Sequence, residues 1–355
     1  MEEEVATRKT SYLQCESCGA VMTFDPKTNS LKCDYCNSFK ALDKSRFARR
    51  REYAESTETS YEKWGEVKHF RCSACGAIAV LPDYEMSPEC PFCNSGNLID
   101  ESEMQGLKPT GVLPFKIDKN EAKEKYKTFI KKKWFAPNAL RKNFKVNTMK
   151  GIYVPTFSFT TDTCSDYTGV MGKYYYVTVG SGKNRHTVRR TRYFPVSGTI
   201  DKGFEDLQYE VSEYLIQKDL QKLGFFDVEN ALEYDKNYFA GFSSERYTES
   251  LDSTWEKATY DIHDSIKGDI IRKHNADVVQ SLTLNTSYNN RRYQYILAPI
   301  WKCAYKYKDK IYHFFINARN GQTTGKAPLS FIKVSALVVV ILSVILGIVY
   351  LLLTR

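Results

Sequence analysis

The sequence predicts an α+β fold with two small N-terminal cysteine-rich units, a β-rich α+β middle domain and one C-terminal apolar helix. Three observations carry that expectation. Eight of the ten cysteines fall into four C-x-x-C pairs. Aromatic residues make up 14% of the chain, and 25 Tyr and 20 Phe set among Thr and Val favour strands. The third is "VSALVVVILSVILGIVYLLL" at residues 334–353, a run of twenty residues without a charge. At 355 residues the chain is long enough for about two or three domains.

Residues 1–10, "MEEEVATRKT", are expected to be disordered and have no apolar stretch, so they do not read as a signal peptide. The first cysteine unit occupies 11–42, a charged spacer 43–68 and the second unit 69–103. "CESCGAVMTFDPKTNSLKCDYC" and "CSACGAIAVLPDYEMSPECPFC" repeat with a period of 57 residues. A pair of copies is a duplication, since a solenoid needs at least three.

In each unit two C-x-x-C pairs at the ends of a short hairpin supply four thiolates to one tetrahedral Zn²⁺. The residue after each second cysteine is Gly19, Asn37, Gly76 or Asn94. Gly and Asn tolerate the positive φ that a knuckle around a thiolate requires. The spacing is that of a rubredoxin-like zinc ribbon, which assigns Cys15, Cys18, Cys33 and Cys36 to one ion and Cys72, Cys75, Cys90 and Cys93 to a second. Iron fits the same four-sulfur geometry. A reactive dithiol would need one C-x-x-C at a helix start in a βαβ context, and none is present. Four protein ligands leave no open coordination position, so these sites are read as structural staples. A unit of about 30 residues cannot bury enough core to fold unaided.

Charge bears on the partner. Residues 11–42 balance Lys27, Lys32 and Lys40 against Glu16, Asp25 and Asp34. Residues 69–103 set Arg71 against Asp83, Glu85, Glu89, Asp100, Glu101 and Glu103. Nucleic acid needs a positive footprint, so the ribbons are expected to meet proteins. The run Arg49, Arg50 and Arg51 keeps nucleic-acid binding as the alternative. The chain's net charge of +9 is matched within residues 116–150, where twelve Lys or Arg face three acids. This basic helical connector, 104–150, contains a helix start at Asp118 with Glu121 three residues on, followed by a stripe of Tyr126, Phe129, Ile130 and Trp134.

Residues 151–322 read as the α+β domain. "GIYVPTFSF", "KYYYVTV" and "HTVRRTRYF" read as strands, with "GSGKN" as a turn. A helix is expected from Ser253 to about Lys273, with Trp255, Ala258, Ile262, Ile266 and Ile270 on one face. "VVQSLTLNTSY", "RYQYILAPIWKCAYKY" and "KIYHFFINA" read as further strands. The surroundings of Tyr153, Pro155 and Phe157 faintly resemble those of Leu297, Pro299 and Trp301. Cys164 and Cys303 are expected to be buried structural thiols.

After a juxtamembrane stretch, 323–333, the run 334–353 is a transmembrane helix by length: about 30 Å at 1.5 Å per residue. The thiolates and the basic side of this span place the bulk of the chain in the cytoplasm, tail-anchored in the cell membrane. Ser343 and Gly347 form a small-xxx-small pair suited to helix association. The basic connector suits an anionic leaflet or an acidic protein. No P-loop, G-x-S-x-G or H-E-x-x-H is present, and the five histidines are scattered, so no enzyme activity is expected.

These parts together, with "GIYVPTFSF", "YFAGFSSERY" and "ILAPIWKCAYKYKDKIYHFFINARNGQTTGKAPLS", resemble the bacterial YdjG-type zinc-ribbon membrane proteins. Tyr312, Asn317, Gly321, Gln322, Thr323, Gly325, Pro328 and Ser330 stand in family-like places, while "ARN" before "GQTTG" departs from the usual motif. The resemblance implies a non-enzymatic scaffold or adaptor in an envelope-stress assembly. Its implied partners are a phage-shock-protein-A relative, an SPFH-type protein and a paralogous zinc-ribbon subunit. The alternative is a membrane-tethered nucleic-acid-binding regulator.

Overall fold

The computed structural model describes residues 14–53, 61–62, 67–72, 78–82, 98–100, 106–138, 140, 149–212, 215, 217–307 and 310–354. The segment 1–10, Cys75, Cys90 and Cys93 lie outside them. In chain order, β1 (Met22–Asp25), β2 (Ser30–Cys33) and β3 (Phe39–Ala41) form a small sheet of their own. Short strands follow: β4 (Arg51–Glu52), β5 (Tyr61–Glu62), β6 (Val67–Cys72), β7 (Ile78–Pro82), β8 (Leu98–Asp100), β9 (Gly106–Leu107) and β10 (Gly111–Val112). Helix α1 (Lys119–Lys131) leads to the long strands β11 (Met149–Val179) and β12 (His186–Glu210). Then come α2 (Gln217–Leu223), β13 (Leu232–Glu233), β14 (Ser243–Glu245) and α3 (Leu251–Lys273). The last elements are β15 (Val278–Tyr307), β16 (Lys310–Asn317), β17 (Thr323–Gly325) and α4 (Phe331–Leu353).

The frame is the antiparallel ladder of β11 and β15, running from Met149↔Cys303 to Gly172↔Val278. "GIYVPTFSF" and "KYYYVTV", which read as two strands, are the two ends of one. Between them lies "TTDTCSDYTG", whose two Asp and one Gly interrupt strand-favouring Thr and Tyr. Pairing to β15 on one side and β12 on the other holds it extended. In the same way "VVQSLTLNTSY" and "RYQYILAPIWKCAYKY" join as β15.

The outer edges of the ladder are filled piecewise. On β15, β4 pairs at Arg292 and Tyr293, β10 at Ile296 and Leu297, and β16 from Ile300 to Tyr307. On β11, β14 pairs at Ile152 and Tyr153, and β12 from Thr156 onward. Pro155 and Pro299 sit in the gaps between successive partners. Their carbonyls face outward, accepting the amides of Val211 at 3.2 Å and Ala318 at 3.0 Å. In an antiparallel strand a residue's N–H and C=O point the same way. Each proline therefore lacks its donor where no edge strand asks for one. The two look-alike segments meet in this ladder, Tyr153 opposite Pro299 and Pro155 opposite Leu297.

Near these prolines the core is aromatic. The Phe115 ring stacks on Phe242 at 4.1 Å and meets Tyr153 and Trp301 edge-on at 5.1 and 5.2 Å. Gly151 permits this, because a Cβ there would lie 2.3 Å from the Phe242 ring. Trp301 Nε1 donates to the Ile117 carbonyl at 2.8 Å. Farther along, one face of the sheet is covered by α3. Its buried stripe is Trp255, Ala258, Ile262, Ile266 and Ile270, as the spacing predicts, and the Ser250 side chain caps it by accepting the Ser253 amide. Thr161, Thr163, Ser165, Tyr167 and Met171 of β11 are buried on the covered side, while Asp162, Asp166 and Thr168 are exposed.

Strands β6, β7 and β8 of the second cysteine unit extend the same sheet, β7 pairing with β14 at Val80↔Ser244 and Ala79↔Glu245. Helix α1 begins as expected: the Asp118 carboxylate accepts the Glu121 amide at 2.7 Å. Tyr126 and Ile130 are buried, with Tyr126 and Phe129 edge-on to Phe314. Trp134 departs from the expected stripe, since the helix ends at Lys131 and the indole is 79% exposed.

Helix α4 is long and apolar enough to cross a membrane, and none of its residues is buried. Its start is fixed to the segment after α1. Ser330 N donates to the Phe135 carbonyl, and Lys333 Nζ donates to the carbonyls of Trp134 and Ala136.

Ile266 is wholly buried between α3 and the sheet. Ile266→Ala is expected to lower the unfolding free energy by about 2–5 kcal/mol, read as an earlier denaturant midpoint of the detergent-solubilised chain. An unchanged midpoint would mean that α3 does not support the sheet.

Candidate metal centre

The first cysteine unit folds as two matching knuckles. The Cys15 carbonyl accepts the Gly19 amide at 2.8 Å, and the Cys15 amide donates to the Ala20 carbonyl at 2.8 Å. Cys33 repeats the arrangement with Asn37 and Ser38, both at 2.9 Å. Gly19 and Asn37 take φ of +74° and +59°, the left-handed conformation their residue types favour. Each knuckle thus turns both of its thiols toward the other.

The sulfur atoms of Cys15, Cys18, Cys33 and Cys36 all lie within 4.8 Å of one another. Cys15 Sγ is 3.4 Å from Cys36 Sγ, and Cys18 Sγ is 3.5 Å from Cys33 Sγ. Four sulfurs at about 2.3 Å from a tetrahedral ion stand roughly 3.8 Å apart, so the cluster can hold one metal ion after small adjustments. Cys15 and Cys33 are buried and Cys18 and Cys36 exposed. The centre is half-embedded, and a tetrahedral ion held there would have all four positions filled by protein.

Ser38 is a residue the spacing argument misses. Its hydroxyl lies 2.9 Å from Cys15 Sγ and 2.8 Å from Cys36 Sγ. This hydrogen bond is the leading reason that the Cys15 thiol falls from the usual 9.0 to about 6 and that Cys36 is also lowered. For Cys18 the Ala20 amide works downward, but burial and the neighbouring thiols of Cys33, Cys36 and Cys15 push it up to about 12. Four crowded thiols cannot all ionise without a cation among them, which is the condition of a metal-binding set. The only available signal for Ser38 was its place directly after a knuckle residue.

The unit docks on the body through Phe24. Its amide donates to the Ala240 carbonyl at 2.9 Å, and its ring meets Tyr238 and Phe242 at 5.3 and 6.3 Å. Lys27 pairs with Asp118 at 2.7 Å, so the carboxylate that caps α1 also holds the unit. Burial raises the Asp118 pKa, but the Glu121 amide and Lys27 more than offset it and leave it lowered. A cleft of about 590 Å³ separates the two, lined by Lys32, Asp34, Asp118, Lys150 and Trp301 among others.

Of the second expected set, Cys72 is buried at the end of β6, opposite Leu98 of β8. Cys75, Cys90 and Cys93, with Gly76 and Asn94, lie outside the described residues. Cys303 is buried as expected. Cys164 is half-buried instead, because it points to the face of β11 that α3 leaves open. His263 and His274 each bond a sheet tyrosine, Tyr288 and Tyr167, at 2.9 Å, which ties α3 to the sheet.

The chain is similar to the uncharacterized protein YdjG of Bacillus subtilis (strain 168), with 23% identity over 233 residues, 65% of this chain and 67% of that protein. No family model matches the chain, and no solved structure does.

Elemental analysis of the purified chain provides a test of the centre. Cys33→Ser is expected to remove one metal ion per chain. The Cys15 thiol's depressed pKa makes its contribution full above its ordinary value and lost as pH falls through about 6. Ser38→Ala is therefore expected to release the ion at a higher pH than wild type during acid titration.

Proposed function

We propose that this chain is a membrane-anchored, cytoplasm-facing adaptor without enzymatic activity, whose zinc-stapled ribbons and β-rich body recruit proteins to the membrane. The observation that carries the reading is α4. Twenty-three residues, apolar but for Lys333 and a few small polar groups, are left uncovered by the body, and a bilayer is the solvent that such a helix requires.

The polar end of this helix supports the orientation. Lys131, Lys132 and Lys133 precede the 134–136 segment to which α4 is bonded, and Trp134, Phe135 and Phe331 are exposed beside them. Aromatic rings at the headgroup level and lysines on the cytoplasmic side are the usual arrangement at such an interface. An all-thiolate centre suits zinc and a reducing compartment. With its coordination closed, zinc there would act as a staple for a module too small to hold itself, and that module's neutral surface favours a protein partner. The second ribbon, with Cys72, Cys75, Cys90 and Cys93 around a second ion, belongs to the proposal. So does the setting in an envelope-stress assembly, for which the family resemblance is the whole support.

Carbonate washing of membranes followed by affinity capture in detergent tests this. The full chain is expected to stay with the membrane, and deletion of residues 331–353 to release it. Capture with the full chain is expected to return a defined set of proteins that the Cys15→Ser, Cys18→Ser double variant loses. A full chain found in the soluble fraction, or an unchanged set of partners in the double variant, would end the reading.

A further inference from the structure

Beyond the rung Gly172↔Val278, the sheet loses its third strand. Asp277 precedes β15, its amide donating to the Gly172 carbonyl at 2.9 Å and its carboxylate accepting the Tyr174 amide at 2.7 Å. Past that point, among the described residues, β11 and β12 continue alone, from Lys173↔Arg192 to Val179↔His186, as a two-stranded ribbon about 23 Å long.

Its composition is one-sided. Residues 167–200 contain no Asp or Glu and six basic residues: Lys173, Lys183, Arg185, Arg189, Arg190 and Arg192. All six are exposed, and among the described residues none has a carboxylate partner. Tyrosines are interleaved with them. On one face the Arg189 guanidinium lies 4.3 Å over Tyr174, and on the other Arg192 lies 5.9 Å from the Tyr175 centroid. Tyr176 and Tyr193 are 69% and 53% exposed.

We propose that this ribbon is a nucleic-acid-binding element. Its arginines neutralise phosphates, and its exposed tyrosines offer stacking platforms. Three observations favour this occupant over the others. The ribbon lies at the far end of the ladder from α4. The anchor helix starts beside α1, whose rings pack at the Cys303 rung, and Gly172 lies 23 positions beyond Met149 along β11. That is roughly 75 Å of extended strand between the ribbon and the point where α4 leaves the body. Arg–Tyr pairs stand on both faces, so cations and rings are offered to phosphates and bases on either side of the ribbon. A two-stranded ribbon is also the width that the major groove of a duplex admits, with phosphates on either side. The neutral and acidic charge of the cysteine units does not bear on this surface, which is separate from them.

The test uses the full chain in detergent, with short fluorescent DNA as duplex and as single strand, and anisotropy read at rising salt. Binding is expected, with affinity falling steeply as salt increases. R189Q/R190Q/R192Q should weaken it at least about tenfold and reduce the log–log salt slope by about three. Its metal content and unfolding midpoint should match wild type. R189K/R190K/R192K should keep most of the salt slope. K131Q/K132Q/K133Q, which removes the same charge near α4, should bind as wild type does. Three results would overturn the proposal: no binding near 0.15 M salt, equal weakening by both glutamine variants, or ribbon-dependent binding to phosphatidylglycerol vesicles without binding to DNA.

Discussion

An antiparallel pair as long as β11 and β15 leaves two outer rows of N–H and C=O groups, and both rows must be satisfied or left to water. The molecule is arranged around that requirement. Where the ladder is buried on both faces, short strands from distant parts of the chain fill its edges: β4, β10 and β14 come from three different segments. Where one face is open to solvent, the single long strand β12 suffices. Edge pairing also attaches the second cysteine unit, since β7 adds to β14. Burying these rows unpaired would cost more than any single packing contact could return.

The first cysteine unit is held by a different force. Its own core is little more than Met22, Phe24 and Leu31 with the buried thiols. Covalent bonds to a metal would replace the apolar area it lacks, and the knuckles prepare the thiols for them. Asp118 joins this unit to the body in an economical way, one carboxylate oxygen meeting Lys27 and the other the first turn of α1. The ends of the molecule differ chemically: lysines and aromatics gather where α4 leaves the body, and arginines and tyrosines where the β-ribbon projects.

What could be read from the sequence was what depends on near neighbours. The knuckle residues Gly19 and Asn37, the cap at Asp118 and the apolar stripe of α3 are set within a few residues, and the structure has them where the spacing requires. Strand continuity is not local. "TTDTCSDYTG" mixes strand-favouring Thr and Tyr with Asp and Gly, and it is held as one continuous strand because partners far along the chain lie on either side. Trp134 fits a helical stripe by spacing but falls past the end of the helix. The contribution of Ser38 needs two thiols brought together from separate knuckles. The basic character of residues 167–200 was present in the sequence. It is hidden in a tally by segment because the connector alone matches the net charge of the whole chain.

The two gaps at Pro155 and Pro299 come together on one rung. Val154 pairs with Ala298, and among the described residues neither has an edge strand on its outer side. Along that line the sheet narrows from four strands to two. The part bearing the metal unit and α4 lies on one side of it, and most of α3 with the projecting ribbon on the other. Two prolines thus do more than tolerate an interruption: they mark the level at which the sheet passes from one set of edge partners to the next.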